Sequence, residues 1–294
     1  MSNGLVSLAS AELAATINPF GAELWSLRDR DGHDLLWDGD PAWWTGRAPI
    51  LFPIVGALAH DRYRLDGRDY ALPKHGFARR KRFAVVDESA QAARLRLEDD
   101  AETRAAWPFA FALDLEFTLD GAALAIAATV TNRGDSAMPM SFGFHPALRW
   151  PLPGGPASKL EYTVAFAADE AATITRLDAA GLVDRTEPSP LDGRLLHPRP
   201  VLFDADALLF LGLASRSVTF GGATGPRIRV DFPAFPDLGV WQKPGAPYLC
   251  IEPWQGHADP AGFAGDIFAK PGMLVLAPGE VWHGAMTLTV EPAA

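Results

Sequence analysis

Cysteine is nearly absent from this chain of 294 residues, which contains only Cys250. One thiol cannot form an intrachain disulfide, and such sparse use is typical of proteins in a reducing compartment. Apolar runs are also short, and none approaches the roughly 20 residues that a membrane-spanning helix needs. The segment Met1 to Thr16 lacks the basic and apolar regions of a secretory signal. We therefore expect a soluble, cytoplasmic protein.

Basic residues are scarce as well. The chain has 26 Lys and Arg against 36 Asp and Glu, a formal net charge of −10. Nucleic acids and anionic membranes attract basic surfaces, so this balance argues against both as partners. No metal centre is expected, because the histidines show no close H-x-H or H-E-x-x-H pairing and only one cysteine is present.

Alternation of apolar and polar residues is the dominant pattern in the sequence. Phe111 to Leu119 alternates, and Ala122 to Thr131 follows the turn Asp120-Gly121. Period-two patterns separated by Asp-Gly predict antiparallel hairpins. The 27 glycines and 25 prolines disfavour long helices, and only Asp99 to Ala106 has helical character. We predict an all-β protein with a single domain over residues 1–294.

Further strands are predicted by the same alternation. They are Leu5 to Ala9, Glu12 to Ile17, Glu23 to Arg28, Ala93 to Glu98, Tyr162 to Ala167, Ser217 to Phe220, Arg227 to Phe232, Leu238 to Gln242, Tyr248 to Glu252, Met273 to Leu276 and Gly284 to Val290. Two segments, Trp150 to Pro156 and Thr186 to Pro200, are interpreted as long surface connections.

Three titratable side chains lie in apolar segments interrupted by glycine or proline. His145 belongs to Ser-Phe-Gly-Phe-His-Pro, His75 to Lys-His-Gly-Phe-Ala-Arg, and Glu252 to Cys-Ile-Glu-Pro-Trp. Histidine has the unperturbed pKa nearest neutrality, and an apolar setting raises a carboxyl pKa. An acid, a base and an accessory imidazole suffice for proton transfer on a neutral organic substrate. A histidine of this kind can also be a hydrogen-bonded core residue, whereas a buried, unpaired carboxylate is costly to keep without a task.

Several motifs in one order resemble the aldose 1-epimerase (galactose mutarotase-like) superfamily, and more narrowly its divergent bacterial branch. They are Asn-Pro-Phe-Gly-Ala-Glu-Leu (18–24), Leu-Leu-Trp (35–37), Arg-Ala-Pro-Ile-Leu-Phe-Pro-Ile-Val-Gly (47–56), His-Gly-Phe-Ala-Arg (75–79), Gly-Phe-His-Pro (143–146), Asp-Ala-Leu (206–208) with Ser-Arg-Ser (215–217), and Glu-Pro-Trp (252–254). The resemblance implies a large antiparallel β-sandwich of the supersandwich type, with the site in an open cleft on one sheet.

The resemblance also implies a reaction, the interconversion of the α and β anomers of an aldose. A base removes the proton of the anomeric hydroxyl, an acid protonates the ring oxygen, and the ring closes again after rotation about C1–C2. By resemblance, Glu252 is the base, His145 the acid and His75 an accessory histidine. The expected partner is a small sugar molecule, no cofactor is implied, and the protein is expected to be a monomer or a homodimer.

The resemblance implies substrate contacts as well. Asp206 is expected to bind a hydroxyl, and Arg47 and Arg79 are expected to contact the sugar. Trp254, together with Trp241 and Phe144, is interpreted as an apolar platform for the C–H face of a pyranose. Two of these assignments have structural alternatives, because Asp206 fits a turn and Arg47 fits a surface ion pair with Asp38 or Asp40.

Two other functions stay open at this point. A hexose 6-phosphate substrate would need a phosphate clamp, for which Arg47, Arg79, Arg80 and Arg82 are candidates. Alternation along a strand would point Arg79 and Arg80 to opposite faces, and the net charge of −10 favours a neutral sugar. A non-catalytic carbohydrate-binding protein could use the same fold, because fold alone does not determine function.

Overall fold

The computed structural model describes residues 4–292, so Met1 to Asn3 of the N-terminal segment and the last two residues of the predicted domain lie outside the described residues. The strands in chain order are β1 (Val6–Ala9), β2 (Leu13–Asn18), β3 (Glu23–Asp29), β4 (Ile50–Leu51), β5 (Arg62–Leu65), β6 (Arg68–Ala71), β7 (Ala84–Glu88), β8 (Ala92–Glu98), β9 (Phe111–Asp120), β10 (Ala123–Asn132), β11 (Met138–Met140), β12 (Phe142–Phe144), β13 (Ala147–Arg149), β14 (Tyr162–Phe166), β15 (Thr173–Leu177), β16 (Val183–Pro188), β17 (Leu191–Asp192), β18 (Leu195–Leu196), β19 (Leu208–Phe210), β20 (Ser217–Gly222), β21 (Arg227–Asp231), β22 (Asp237–Trp241), β23 (Tyr248–Gln255), β24 (Leu274–Leu276) and β25 (Val281–Glu291).

Two large antiparallel sheets dominate the described chain. One has ten strands in the order β17-β18-β14-β20-β21-β25-β10-β9-β8-β7, and the other has eight, β16-β15-β19-β22-β23-β12-β4 with β13 beside β23. One cluster of buried apolar side chains includes Leu115 and Ile126 of the ten-stranded sheet and Leu249 and Ile251 of the eight-stranded sheet. The two sheets therefore enclose a common core, which confirms the predicted all-β sandwich.

The hairpin of β9 and β10 shows how the alternation produces the larger sheet. The strands pair from Ala123 opposite Asp120 to Asn132 opposite Phe111, so the turn lies at Asp120-Gly121 as predicted. Leu113, Leu115 and Phe117 are fully buried, because period two places them on one face. Each such side chain contributes on the order of 1.5–3 kcal/mol by its burial.

The only α-helix of residues 4–292 is α1, Ala101–Ala106. It begins after Asp100, whose carboxylate accepts the N–H of Thr103 while the Thr103 hydroxyl accepts the N–H of Asp100. Such reciprocal capping satisfies two N–H groups that the first turn leaves free. The helix therefore lies where the sequence predicts it, but it begins two residues later than predicted, after Asp99 and Asp100.

Short strands account for most of what the sequence did not reveal. The hairpin of β5 and β6, the strands β11 to β13, and the strands β15 to β18 at or next to the sheet edges are too short or too irregular for a clear alternation. Thr186 to Pro200, predicted as a connection, contains part of β16 and all of β17 and β18. That interpretation was wrong, because its polar residues lie on exposed edge strands.

The eight-stranded sheet has two different faces. Along β23, Leu249 and Ile251 point into the common core, while Cys250, Glu252 and Trp254 point to the opposite face. Loops cover that second face so well that Glu252 is only 1% exposed. Two of the predicted site residues, Glu252 and Trp254, thus lie on the outer face of this sheet, whose inner face packs against the common core. The single-domain prediction stays a prediction.

Candidate active site

A cavity of about 430 Å³ opens on the outer face of the eight-stranded sheet, within the range of small-molecule sites. Six of the seven predicted site residues line it. They are His75, Arg79, His145, Asp206, Glu252 and Trp254. The residues come from segments far apart in the chain, so the fold rather than sequence proximity assembles the site.

Strand geometry brings the two expected proton carriers together. On β12, Phe142 and Phe144 enter the core, so Gly143 and the next alternate residue, His145, face the cavity. Glu252 faces the same side from β23. As a result, Nε2 of His145 lies 3.1 Å from Oε2 of Glu252.

The pair is buried and incompletely satisfied. His145 is 7% exposed and Glu252 1% exposed. Within residues 4–292, Nδ1 of His145, Oε2 of Glu252 and Nε1 of the adjacent Trp254 form no well-directed hydrogen bond, although Oε2 lies 3.1 Å from Nε2 of His145 and the Trp254 indole lies close enough to lower the carboxyl pKa. Buried polar atoms are normally paired, and leaving one unpaired costs about 1–3 kcal/mol. Three such atoms around one cavity are an arrangement that a polar ligand would satisfy.

Burial perturbs both proton affinities in opposite directions. It raises the pKa of Glu252 well above its ordinary value, and the negative charge of Asp206 acts in the same direction. It lowers the pKa of His145 to about 3, with the positive charges of Lys74 and Arg79 adding to the effect. The carboxyl pKa agrees with the sequence prediction. The histidine differs from it, because an imidazolium alone is disfavoured in this environment.

His75 is held as a neutral hydrogen-bond donor. The backbone N–H of Gly56 lies 3.1 Å from Nδ1 of His75, and since that N–H can only donate, Nδ1 must be the acceptor. The ring proton therefore sits on Nε2. Burial lowers the pKa of His75 well below its ordinary value, and the neighbouring His145 lowers it further. His75 also has a φ of +67°, a conformation of the kind found at functional sites.

Glycines make room for the apolar floor of the cavity. The indole of Trp254 lies across the sheet between Gly143 and Gly239. A Cβ at Gly143 would come within 2.6 Å of the ring, and one at Gly239 within 2.8 Å. Side chains at either position would push the indole out of the sheet face. The glycine in Gly-Phe-His-Pro thus has a packing role.

Aromatic rings form the wall above His145. The ring of Trp44 lies 5.0 Å from the imidazole, and that of Trp241 lies 5.9 Å away and nearly perpendicular to it. Trp241 and Trp254 both line the cavity, so their role as a platform stays a prediction. Phe144 does not line the cavity, because its ring packs in the core, 5.6 Å from Phe235.

Charged groups of both signs reach the cavity from its rim. Lys74 and Arg79 supply positive charge, and Asp204 and Asp206 supply negative charge. Asp206 has a φ of +67°, and its carboxylate accepts the N–H of Ala207 at 2.8 Å. Asp206 therefore lies in a turn and also lines the cavity, and its contact with a hydroxyl stays a prediction.

The arginines depart from the sequence interpretation. Arg47 does not line the cavity: its guanidinium lies over the ring of Trp25 at 4.0 Å and donates to the Trp25 carbonyl. Arg79 and Arg80 lie in a short 3₁₀ turn, Ala78–Arg80, so strand alternation does not apply to them. Arg79 reaches the cavity, where it donates to the carbonyl of Lys74 at 2.8 Å.

Two residues that line the cavity, Trp44 and Lys74, and one that lies beneath it, Cys250, were not assigned from the sequence. Trp44 belongs to the aromatic pair in the Asp/Pro/Gly-rich loop before β4, a combination that could have drawn attention to it. Lys74 gave no signal beyond its place beside His75. Cys250 has its sulfur within 4.8 Å of donor atoms of both His145 and Glu252. Only the pairing of strands brings the thiol of Cys250, the imidazole of His145 and the carboxylate of Glu252 together.

Comparisons with known proteins agree with this arrangement. Residues 4–289 match the family described as aldose 1-epimerase. The chromosomal LacX protein of Lactococcus lactis is 32% identical over 262 residues, which cover 85% of this chain and 87% of that protein. A galactose mutarotase related enzyme from Lactobacillus acidophilus has a TM-score of 0.91 at 28% identity, covering 99% of this chain and 98% of its own. A galactose mutarotase-like protein from Lactobacillus casei has a TM-score of 0.90 at 30% identity, covering 98% and 100%.

Proposed function

This chain belongs to the aldose 1-epimerase family, and on that premise we propose that it interconverts the α and β anomers of an unphosphorylated hexose by acid/base ring opening. The observation that carries the proposal is the buried pair of His145 and Glu252, 3.1 Å apart, with unpaired polar atoms at the cavity. A ring oxygen and an anomeric hydroxyl are the two polar atoms that such a pair would engage.

The proton balance of the pair suits this reaction. Ring opening moves the anomeric hydroxyl proton to the base and another proton from the acid to the ring oxygen. Burial favours a neutral carboxyl and a neutral imidazole, so the reactive form, ionised Glu252 with protonated His145, first arises by proton transfer from the carboxyl to the imidazole. Ring opening from that form returns both groups to their neutral states. Ring closure reverses the transfers, so the pair carries one proton in total throughout the cycle.

Other cavity groups hold the sugar in this proposal. His75 donates from Nε2 to a sugar oxygen, and Asp206 accepts from a hydroxyl. The indole of Trp254 and the ring of Trp44 pack against C–H faces. The sugar is the only partner proposed. A cytoplasmic location is also proposed, in keeping with the single free thiol of Cys250.

Polarimetry tests the activity directly. Freshly dissolved α-D-glucose or α-D-galactose should approach anomeric equilibrium faster with enzyme than without, in proportion to enzyme concentration. Glu252→Gln should lose this acceleration, whereas Arg47→Ala, a change outside the cavity, should keep it. Sugar binding without any acceleration would instead support the non-catalytic carbohydrate-binding alternative.

A phosphorylated substrate is the second candidate, because Lys74 and Arg79 are cations at the rim of the cavity. Two observations favour the neutral sugar. Asp204 and Asp206 line the same cavity and balance these charges, and Arg47, the first arginine of the predicted clamp, lies elsewhere. Activity confined to hexose 6-phosphates and weakened by salt would reverse this preference.

A further inference from the structure

Three chemically different metal ligands meet beneath the cavity. Sγ of Cys250 and donor atoms of His145 and Glu252 all lie within 4.8 Å of one another. Cys250 and Glu252 are alternate residues of β23 and so share a face, while His145 reaches the same face from the end of β12. Cys250 pairs directly with Ala147, two residues beyond His145.

The polar atoms of this group are available to a new partner. His145 and Glu252 are more than nine-tenths buried, and neither Nδ1 of the first nor Oε2 of the second forms a well-directed hydrogen bond within residues 4–292. Nε2 of His145 and Oε2 of Glu252 are already 3.1 Å apart. Ligand atoms around a tetrahedral zinc ion are separated by roughly 3.3–3.8 Å. Shifts of about 1 Å would complete the set.

We propose that Cys250, His145 and Glu252 form a binding site for a thiophilic divalent cation of the Zn²⁺ type, whose occupation switches off the acid/base pair. The inhibitory part rests on the proposed function, since the cation takes the donor atoms of both proton carriers. Thiolate, imidazole and carboxylate together favour Zn²⁺ or Co²⁺ over Mg²⁺, which prefers oxygen ligands. On binding, the thiol proton and the proton shared by His145 and Glu252 both leave to solvent as the bonds from the metal to sulfur, nitrogen and oxygen form.

Geometry also predicts competition with the sugar. His145 and Glu252 line the cavity, whereas the Cys250 side chain is fully buried beside them. A cation therefore enters through the cavity and occupies atoms that the sugar would use. Bound sugar should protect against the cation, and the cation should raise the apparent KM before it abolishes turnover.

The test uses the full-length protein freed of metal by a chelator, with Zn²⁺, Co²⁺ and Mg²⁺ as probes. Calorimetry should show one Zn²⁺ per chain and no comparable Mg²⁺ binding. Co²⁺ should give the thiolate-to-metal charge-transfer absorption of a cobalt–sulfur bond. Cys250→Ser should lose that absorption and weaken Zn²⁺ binding by at least about 100-fold, more than typical losses from outer-shell changes.

A matched control comes from the other group of possible ligands, the exposed Asp29, Asp31 and His33. His33→Ala should leave the cobalt spectrum and the Zn²⁺ affinity unchanged. Zn²⁺ should abolish mutarotation in the wild type and in His33→Ala, while Cys250→Ser, checked for native circular dichroism, should stay active at the same concentration. Excess chelator should restore the inhibited enzymes.

Two results would overturn the proposal: a wild-type cobalt spectrum without thiolate absorption, or equal Zn²⁺ affinity in Cys250→Ser. The wild-type spectrum needs no variant, so poor folding of Cys250→Ser would not obscure the outcome. Calorimetry and absorption need no sugar. A protein that binds Zn²⁺ through sulfur but shows no mutarotation would contradict the proposed function alone, and the reverse pattern would contradict the metal site alone.

Discussion

Glu252→Gln should separate the catalytic role of the buried carboxyl group from its effect on stability. The substitution keeps the shape of the side chain and removes its basicity. Loss of a general base typically lowers a rate by about 10²–10⁴-fold, so kcat for mutarotation should fall by that factor while sugar binding survives. Polarimetry measures the first effect, and calorimetric titration of the sugar measures the second.

The same substitution should stabilise the fold at high pH. In the unfolded chain Glu252 ionises near its ordinary value of 4.5, whereas burial keeps it protonated well above that in the folded state. Between the two pKa values the folded state binds more protons, so its stability falls as pH rises, by about 1.4 kcal/mol per pH unit. Glutamine has no such loss. The variant's advantage should grow with pH and level off above the folded pKa of Glu252.

Denaturant unfolding of both proteins at several pH values measures this difference. The lowered pKa of His145 has the opposite effect on the pH dependence of stability. Its contribution to folding stability is fully present above the pKa of histidine in the unfolded chain and is lost as the pH falls toward about 3. Because His145 lies 3.1 Å from Glu252, substitution of Glu252 also changes the pKa of His145. The comparison is therefore made above the ordinary histidine pKa, where His145 is neutral in the folded and unfolded states of both proteins. Near wild-type turnover in Glu252→Gln would show that Glu252 is not the base. A stability difference independent of pH would refute the perturbed carboxyl pKa.

Further predictions follow from the same cavity. The pH profile of kcat/KM should be bell-shaped, with its acidic limb below the ordinary histidine pKa because burial opposes a second proton on the pair; a flat profile would contradict the shared proton. Arg79→Ala should raise KM about tenfold, because about 1.5 kcal/mol of hydrogen bonding to the sugar is lost. Arg47→Ala should leave KM unchanged. A larger effect at Arg47 than at Arg79 would show that Arg47 is the arginine that contacts the sugar. Gly239→Ala should displace Trp254, raising KM and altering tryptophan fluorescence, and unchanged values would disprove the tight packing. Dialysis against a chelator should not lower turnover, as measured by polarimetry.

Long, alternating strands were predictable from the sequence because burial on one face determines them. The prediction for Phe111 to Leu119 falls within β9, and the turn at Asp120-Gly121 is correct. Strands of two or three residues, such as β4 and β12, have too few positions for a period to emerge. Pairing with neighbouring strands holds them in place, and one sequence does not display that pairing.

Individual site residues were predictable where the chemistry of a segment was unusual, as for His145 and Glu252. Arg47 was not, because its motif does not tell which way the side chain points, and Trp25 provides a cation–π partner on the far side. Of the two cations that reach the cavity, Arg79 was predicted, whereas Lys74 occupies an ordinary position in the sequence. Net charge was a poor guide to local charge, since two cations and two aspartates line the same cavity.

Several features that lower the stability of the folded state lie around one cavity. Their concentration there argues for a functional site. His75 and Asp206 have positive φ values there. A strained backbone conformation costs on the order of 1–3 kcal/mol of folding free energy, and the cost is smaller for aspartate. The unpaired polar atoms of His145 and Glu252 add a similar cost. A structural core would remove these costs with apolar side chains of similar volume. A sugar that pairs with those atoms relieves the same costs on binding, so the strain and the unpaired groups preorganise the site for its ligand.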